Sequence, residues 1–93
     1  MVTVKILNYD IFNEGSMHFE IYEDTTVYEI LKKIEKTYGD KYEKKVGRKL
    51  LNDINTNYRI FLNNNYLDIS TITKQPVKNG DNILILKPIS GGK

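Results

Sequence analysis

Apolar positions along the chain follow two periods. Val2, Val4 and Ile6 alternate with Thr3 and Lys5, the two-residue period of a strand with one buried face. After the turn cluster Asn13-Glu14-Gly15-Ser16, residues Met17, Phe19 and Ile21 alternate with His18, Glu20 and Tyr22, predicting a hairpin with His18 on its polar face. The period then lengthens. Thr26 and Glu29 have the spacing of a capping box, and Val27, Ile30, Leu31, Ile34 and Tyr38 follow at helical spacing. Gly39, coming after Lys32, Lys33 and Lys36, suits the left-handed residue that ends a helix. Residues 40–57 are polar, with Leu50-Leu51-Asn52-Asp53 as their one clear apolar anchor, and read as a long loop or a short helical turn.

Alternation returns at Tyr58, Ile60 and Leu62. It leads into Asn63-Asn64-Asn65, a turn in which Asn tolerates positive φ, and a brief return strand at Tyr66 and Leu67. A second turn over Pro76-Val77-Lys78-Asn79-Gly80-Asp81 precedes the continuous apolar run Ile83-Leu84-Ile85-Leu86, which suits a central strand and is bounded by Lys87 and Pro88. The order strand, strand, helix, strand, short strand, strand predicts an α+β layer fold with the helix packed on one sheet face. If Ile60, Leu62, Ile83 and Ile85 point to the helix, Arg59, Phe61, Leu84 and Leu86 stand on the opposite, open face. An apolar patch of that kind reads as a protein-docking surface. The alternative is that the 40–57 segment covers Leu84 or Leu86.

Ninety-three residues suffice for one domain with one core. The chain has no cysteine, which excludes disulfides, thiolate metal sites and cysteine nucleophiles, and His18 is its one imidazole, read as solvated rather than as a metal ligand or base. No nucleophile-base pair, paired-carboxylate motif or phosphate-binding glycine loop stands out, so an autonomous enzyme is not expected. A formal charge of +2 argues against nucleic-acid binding as the main activity. Lys32, Lys33, Lys36, Lys41, Lys44, Lys45, Arg48 and Lys49 do crowd one stretch, read either as a solvated face or as a docking patch for an acidic partner or RNA. No apolar run spans a bilayer and no export signal is evident, so a soluble cytoplasmic protein is expected.

The segment Asn79-Gly80-Asp81-Asn82-Ile83-Leu84-Ile85-Leu86-Lys87-Pro88-Ile89-Ser90-Gly91-Gly92 carries a resemblance, supported by the strand-turn segment Phe61-Leu62-Asn63-Asn64-Asn65-Tyr66-Leu67. It is similar to the closing part of the ubiquitin-like sulfur carriers of the MoaD/ThiS type, with the small subunit of molybdopterin synthase the nearest in pattern. The resemblance implies a β-grasp fold, a mixed four- to five-stranded sheet with one main helix. It also implies a domain over residues 1–88 and a flexible tail over 89–93. The Gly92 carboxylate would be adenylated and converted to a thiocarboxylate, with Gly91 giving the tail its flexibility in a narrow partner channel. Arg59, Phe61, Leu84, Leu86, Pro88 and Ile89 would meet partners. Those implied are a MoeB/ThiF-type adenylating enzyme, which would hold the ATP and Mg²⁺, and a MoaE-type large subunit or another sulfur acceptor. Thiamin, cysteine and tungsten-cofactor routes use similar tails, and a protein modifier or an unmodified β-grasp binding module are the alternatives from other classes. Lys93 departs from the pattern, because the family's chemistry requires a free glycine carboxylate. A processing protease that removes it, an origin in the expressed rather than the natural sequence, or loss of the carrier role would each account for it.

Overall fold

The computed structural model describes residues 1–7 and 16–87. Strands β1 (Val2–Leu7) and β2 (Met17–Phe19) are followed by helices α1 (Val27–Val46) and α2 (Leu50–Asn57), then by β3 (Arg59–Leu62), β4 (Asn65–Leu67) and β5 (Asn82–Leu86). The strands form one mixed sheet in the order β2-β1-β5-β3-β4, in which β1 and β5 run parallel and the other neighbours antiparallel. The apolar run at Ile83 to Leu86 is thus the central strand, as its continuous hydrophobicity predicts. This is the β-grasp arrangement.

One core joins the inward residues Val2, Val4, Ile6, Ile60, Leu62, Ile83 and Ile85 to Val27, Ile30, Leu31 and Ile34 of α1. The start of α1 is fully accounted for. Thr26 Oγ1 accepts from Glu29 N, the Glu29 carboxylate accepts from Thr26 N, and the N–H groups of Val27 and Tyr28 donate to the carbonyls of Gln75 and Ile72. The turn after β3 is a two-residue connection with Asn63 at φ 50° and Asn64 at φ 73°, both left-handed, where asparagine is tolerated.

Gly39 does not end the helix. α1 continues through it to Val46, and Gly47, at φ 87° with its N–H donating to Glu43 O, is the terminating residue. The missing Cβ at Gly39 serves a neighbour: a Cβ there would fall on the Glu35 side chain, 2.7 Å from its Cδ. That side chain accepts a 2.8 Å hydrogen bond from Leu51 N, in the first turn of α2, whose own N-cap Lys49 provides none. Glu35 therefore caps a second helix across space, and Gly39 leaves room for it. Residues 40–57, expected to be a long loop or a short helical turn, are accordingly the rest of α1, a three-residue linker and all of α2. Their apolar residues Tyr42, Leu50 and Ile54 are in the core.

Gly39→Ala should expose this arrangement. Displacing Glu35 sacrifices a charge-assisted bond of roughly 1.5–3 kcal/mol, against a helix-propensity gain of about 1 kcal/mol. The single variant is expected to lose about 1 kcal/mol of stability by that difference. In a Glu35→Ala background the same change should instead stabilise, by up to about 1 kcal/mol. Urea denaturation of the parent, both single variants and the double variant reads the change of sign.

Candidate docking face and carrier terminus

Strand register sorts the open face of the sheet into rows. Lys5 lies beside Leu84, Leu84 opposite Phe61, and Phe61 opposite Tyr66. The next row is Leu7, Leu86 and Arg59, and on the other side lie His18, Thr3 and Asn82. Their sheet neighbours Ile60, Leu62, Ile83 and Ile85 are buried, whereas Phe61, Leu84 and Leu86 are half-buried and Arg59 is exposed. The four strand residues expected on the open face are therefore together on it. The 40–57 segment does not cover them, since its apolar residues turn into the core on the opposite face. Phe61 and Tyr66 meet edge to face with ring centroids 5.8 Å apart, and Tyr66 is 58 % exposed.

Tyr66, Leu7 and Lys5 also belong to this face but do not emerge from the chain by alternation alone. Tyr66 is signalled only by its hairpin register with Phe61. Leu7 and Lys5 reach it through the parallel pairing of β1 with β5, which no local pattern encodes. Lys87, just past β5, donates its N–H to Leu7 O at 3.3 Å, so the chain leaves the sheet beside the Leu7-Leu86-Arg59 row. Pro88, Ile89, Gly91, Gly92 and Lys93 lie outside the described residues, as does most of the turn cluster expected at 13–16.

His18 is exposed on the polar face, its Nδ1 3.2 Å from Thr3 Oγ1. Among the described residues, titratable groups moved from their ordinary values stand chiefly between the helices. Burial pushes the Asp53 carboxyl upward, but bonds from Arg48 and Tyr42, the Arg48 charge and a bond from Asn57 outweigh it, leaving Asp53 below the usual carboxylate range. The Tyr42 hydroxyl donates to Asp53 Oδ2 at 2.6 Å and lies 3.3 Å from that of Tyr58, while Arg48 Nε is 3.0 Å from both Asp53 oxygens. Burial first, then its bonds to Asp53 and Tyr58, push Tyr42 far above the ordinary phenol range. This network locks α2 to α1 and is structural.

A hollow of about 690 Å³ lies along the start of α1, lined by residues including Tyr22, Asp24, Glu29, Lys32 and Lys36. It is open and mixed in charge, and none of its lining residues belongs to the open face of the sheet, so we place no site there. Among the described residues no group of three His, Asp or Glu is placed to hold a metal. Nor is any described helix long and apolar enough to cross a membrane.

The ThiS family model matches residues 8–92. No curated protein matches the chain significantly. Among solved structures, the chain is similar to SAMP1 from Haloferax volcanii, with a TM-score of 0.71 and 15 % identity over 98 % of both chains. It is also similar to a chain in the complex of subunits 1 and 2 of molybdopterin-converting factor from Helicobacter pylori 26695. There the TM-score is 0.56 and the identity 23 %, over 98 % of this chain and 97 % of the other. At these identities the structural likeness is one of fold.

Proposed function

The chain belongs to the ThiS family, and from that premise we propose that it acts through a thiocarboxylate formed at Gly92, in molybdopterin synthesis. Members of this ubiquitin-like sulfur carrier family are small carriers and not themselves enzymes. The observation that carries the proposal is the reach of the family match, which runs through residue 92 and so includes the Gly91-Gly92 pair.

The chemistry asks little of the domain itself. A Gly92 carboxylate oxygen attacks the α-phosphorus of ATP and pyrophosphate leaves, giving an acyl-adenylate. The outer sulfur of a persulfide then attacks the acyl carbon and AMP leaves, and a thiol cleaves the remaining sulfur-sulfur bond to free the thiocarboxylate. ATP, Mg²⁺ and the persulfide are held by partners, where preorganised charge stabilises the transferring phosphoryl group. This chain supplies the acyl group, the glycines that let its backbone enter a narrow channel, and the open face for docking. Removal of Lys93 exposes the Gly92 carboxylate. A MoeB/ThiF-type enzyme is the activating partner and a MoaE-type subunit the acceptor, the latter supported by the two-subunit assembly of the Helicobacter pylori neighbour.

Intact-mass measurement tests this reading. Protein from its own cells should end at Gly92. Incubated with its adenylating enzyme, ATP and a sulfur donor, it should gain the mass of one oxygen-to-sulfur exchange. A mature chain that keeps Lys93 and never forms a Gly92 adduct would overturn the proposal. Covalent ladders on other proteins, without thiocarboxylate, would assign the same adenylate to protein modification instead.

A further inference from the structure

The open face is uneven in charge as well as in polarity. Among the described strand residues it carries two basic side chains, Lys5 and Arg59, and no carboxylate. They stand at opposite corners of the apolar ridge: Lys5 beside Leu84 on the β1 side, Arg59 opposite Leu86 on the β3 side. Lys5 is exposed and borders a hollow of about 250 Å³ that Thr3, Ser16, Asn64, Asn82 and Leu84 also line. Among the described residues no ion pair involves Lys5. Asp81, near in space, is spent on the turn, where its carboxylate accepts from Lys78 N and Asn63 Nδ2. The hollow is thus rimmed by an ammonium, two hydroxyls and two amides, a set rich in donors and suited to an acceptor.

From this geometry we infer that the protein engaging the open face presents an Asp or Glu carboxylate to the hollow beside Lys5. The Leu84, Phe61 and Leu86 ridge then provides contact area, while Lys5 sets which partner fits and how fast it arrives. A partner that offered a cation or a bare apolar surface there would leave Lys5 unpaired against it, which disfavours the wrong complex. The inference rests on the reading of this face as the docking surface for the adenylating enzyme.

Binding of the chain to its adenylating enzyme, measured by calorimetry from low to high salt, tests it. Lys5→Met keeps the stem and removes the charge; it should bind about tenfold more weakly at low salt, with a flatter salt dependence. Lys5→Glu should bind about a hundredfold more weakly, and Lys5→Arg within about threefold of the parent. Phe61→Ala should weaken binding while keeping the parent's salt dependence. If Lys5→Met and Lys5→Glu bind like the parent while Phe61→Ala does not, the carboxylate partner is wrong and the docking face stands. If all three bind like the parent, the docking face itself is wrong.

Discussion

An Asp53→Ala chain is expected to unfold with about 3 kcal/mol less free energy than the parent, the lower end of what removing one partner from a buried, hydrogen-bonded charge network costs. Asp53 is 4 % exposed and accepts hydrogen bonds from both Tyr42 and Arg48. Without it, the buried Tyr42 hydroxyl loses its 2.6 Å acceptor and keeps the hydroxyl of Tyr58 at 3.3 Å. Arg48 is exposed and can return to water, so Arg48→Ala should cost less than Asp53→Ala. The sign with pH follows from the lowered Asp53 carboxyl. The unfolded chain binds this proton at higher pH than the folded one, so the stabilisation is complete above about pH 5 and is lost as pH falls through the ordinary carboxylate value of about 4 and then the folded one. Urea midpoints across that window should fall more steeply for the parent than for Asp53→Ala. Equal slopes would show that Asp53 does not titrate differently in the two states.

Gly92→Ala, in a chain ending at residue 92, is expected to lower the rate of adenylate formation by at least about 100-fold. A single Cβ in a channel fitted to bare backbone displaces the acyl carbon from the α-phosphorus, and misplacement on the scale of 1 Å costs about that much. Thermal unfolding should be unchanged, because among the described residues the buried core ends at Ile85. Pyrophosphate release with the adenylating enzyme measures the first effect. A melting temperature lowered by several degrees would mean that the terminus contributes to the fold, and a near-parental rate would remove the argument for a glycine channel.

Much of this architecture was legible in local pattern. Thr26 and Glu29 announced the start of α1 because a capping box is a contact between residues three apart. The alternation of Ile60 with Phe61, and of Ile83 with Leu84, assigned sheet faces because a strand's side chains have no other choice. Gly39 misled for an equally physical reason. A glycine after a run of lysines has the appearance of a helix terminus, whereas its true cause is the path of the Glu35 carboxylate to Leu51 N, a contact spanning sixteen positions. The polar character of residues 40–57 hid α2 in the same way, since Asp53 is buried by partners that come from α1 and from the linker before α2. Lys5 illustrates the third kind of gap. Its place on a polar strand face was readable, but its position beside Leu84 depends on pairing between strands almost eighty residues apart.

That pairing has a consequence for synthesis. β5 sits at the centre of the sheet between β1 and β3, so the first strand made has no neighbour on that side until the last one is made. A nascent chain stopped before Asn82 lacks the strand that joins the two halves of the sheet and cannot close its core. Long-range pairing of this kind also delays folding relative to a chain built from local contacts. Translation must therefore pass β5 before the sheet can be completed, and a product stopped before Asn82 lacks the central strand of the open face. The topology acts as a completeness check, since only chains that carry β5 can present a finished open face to a partner.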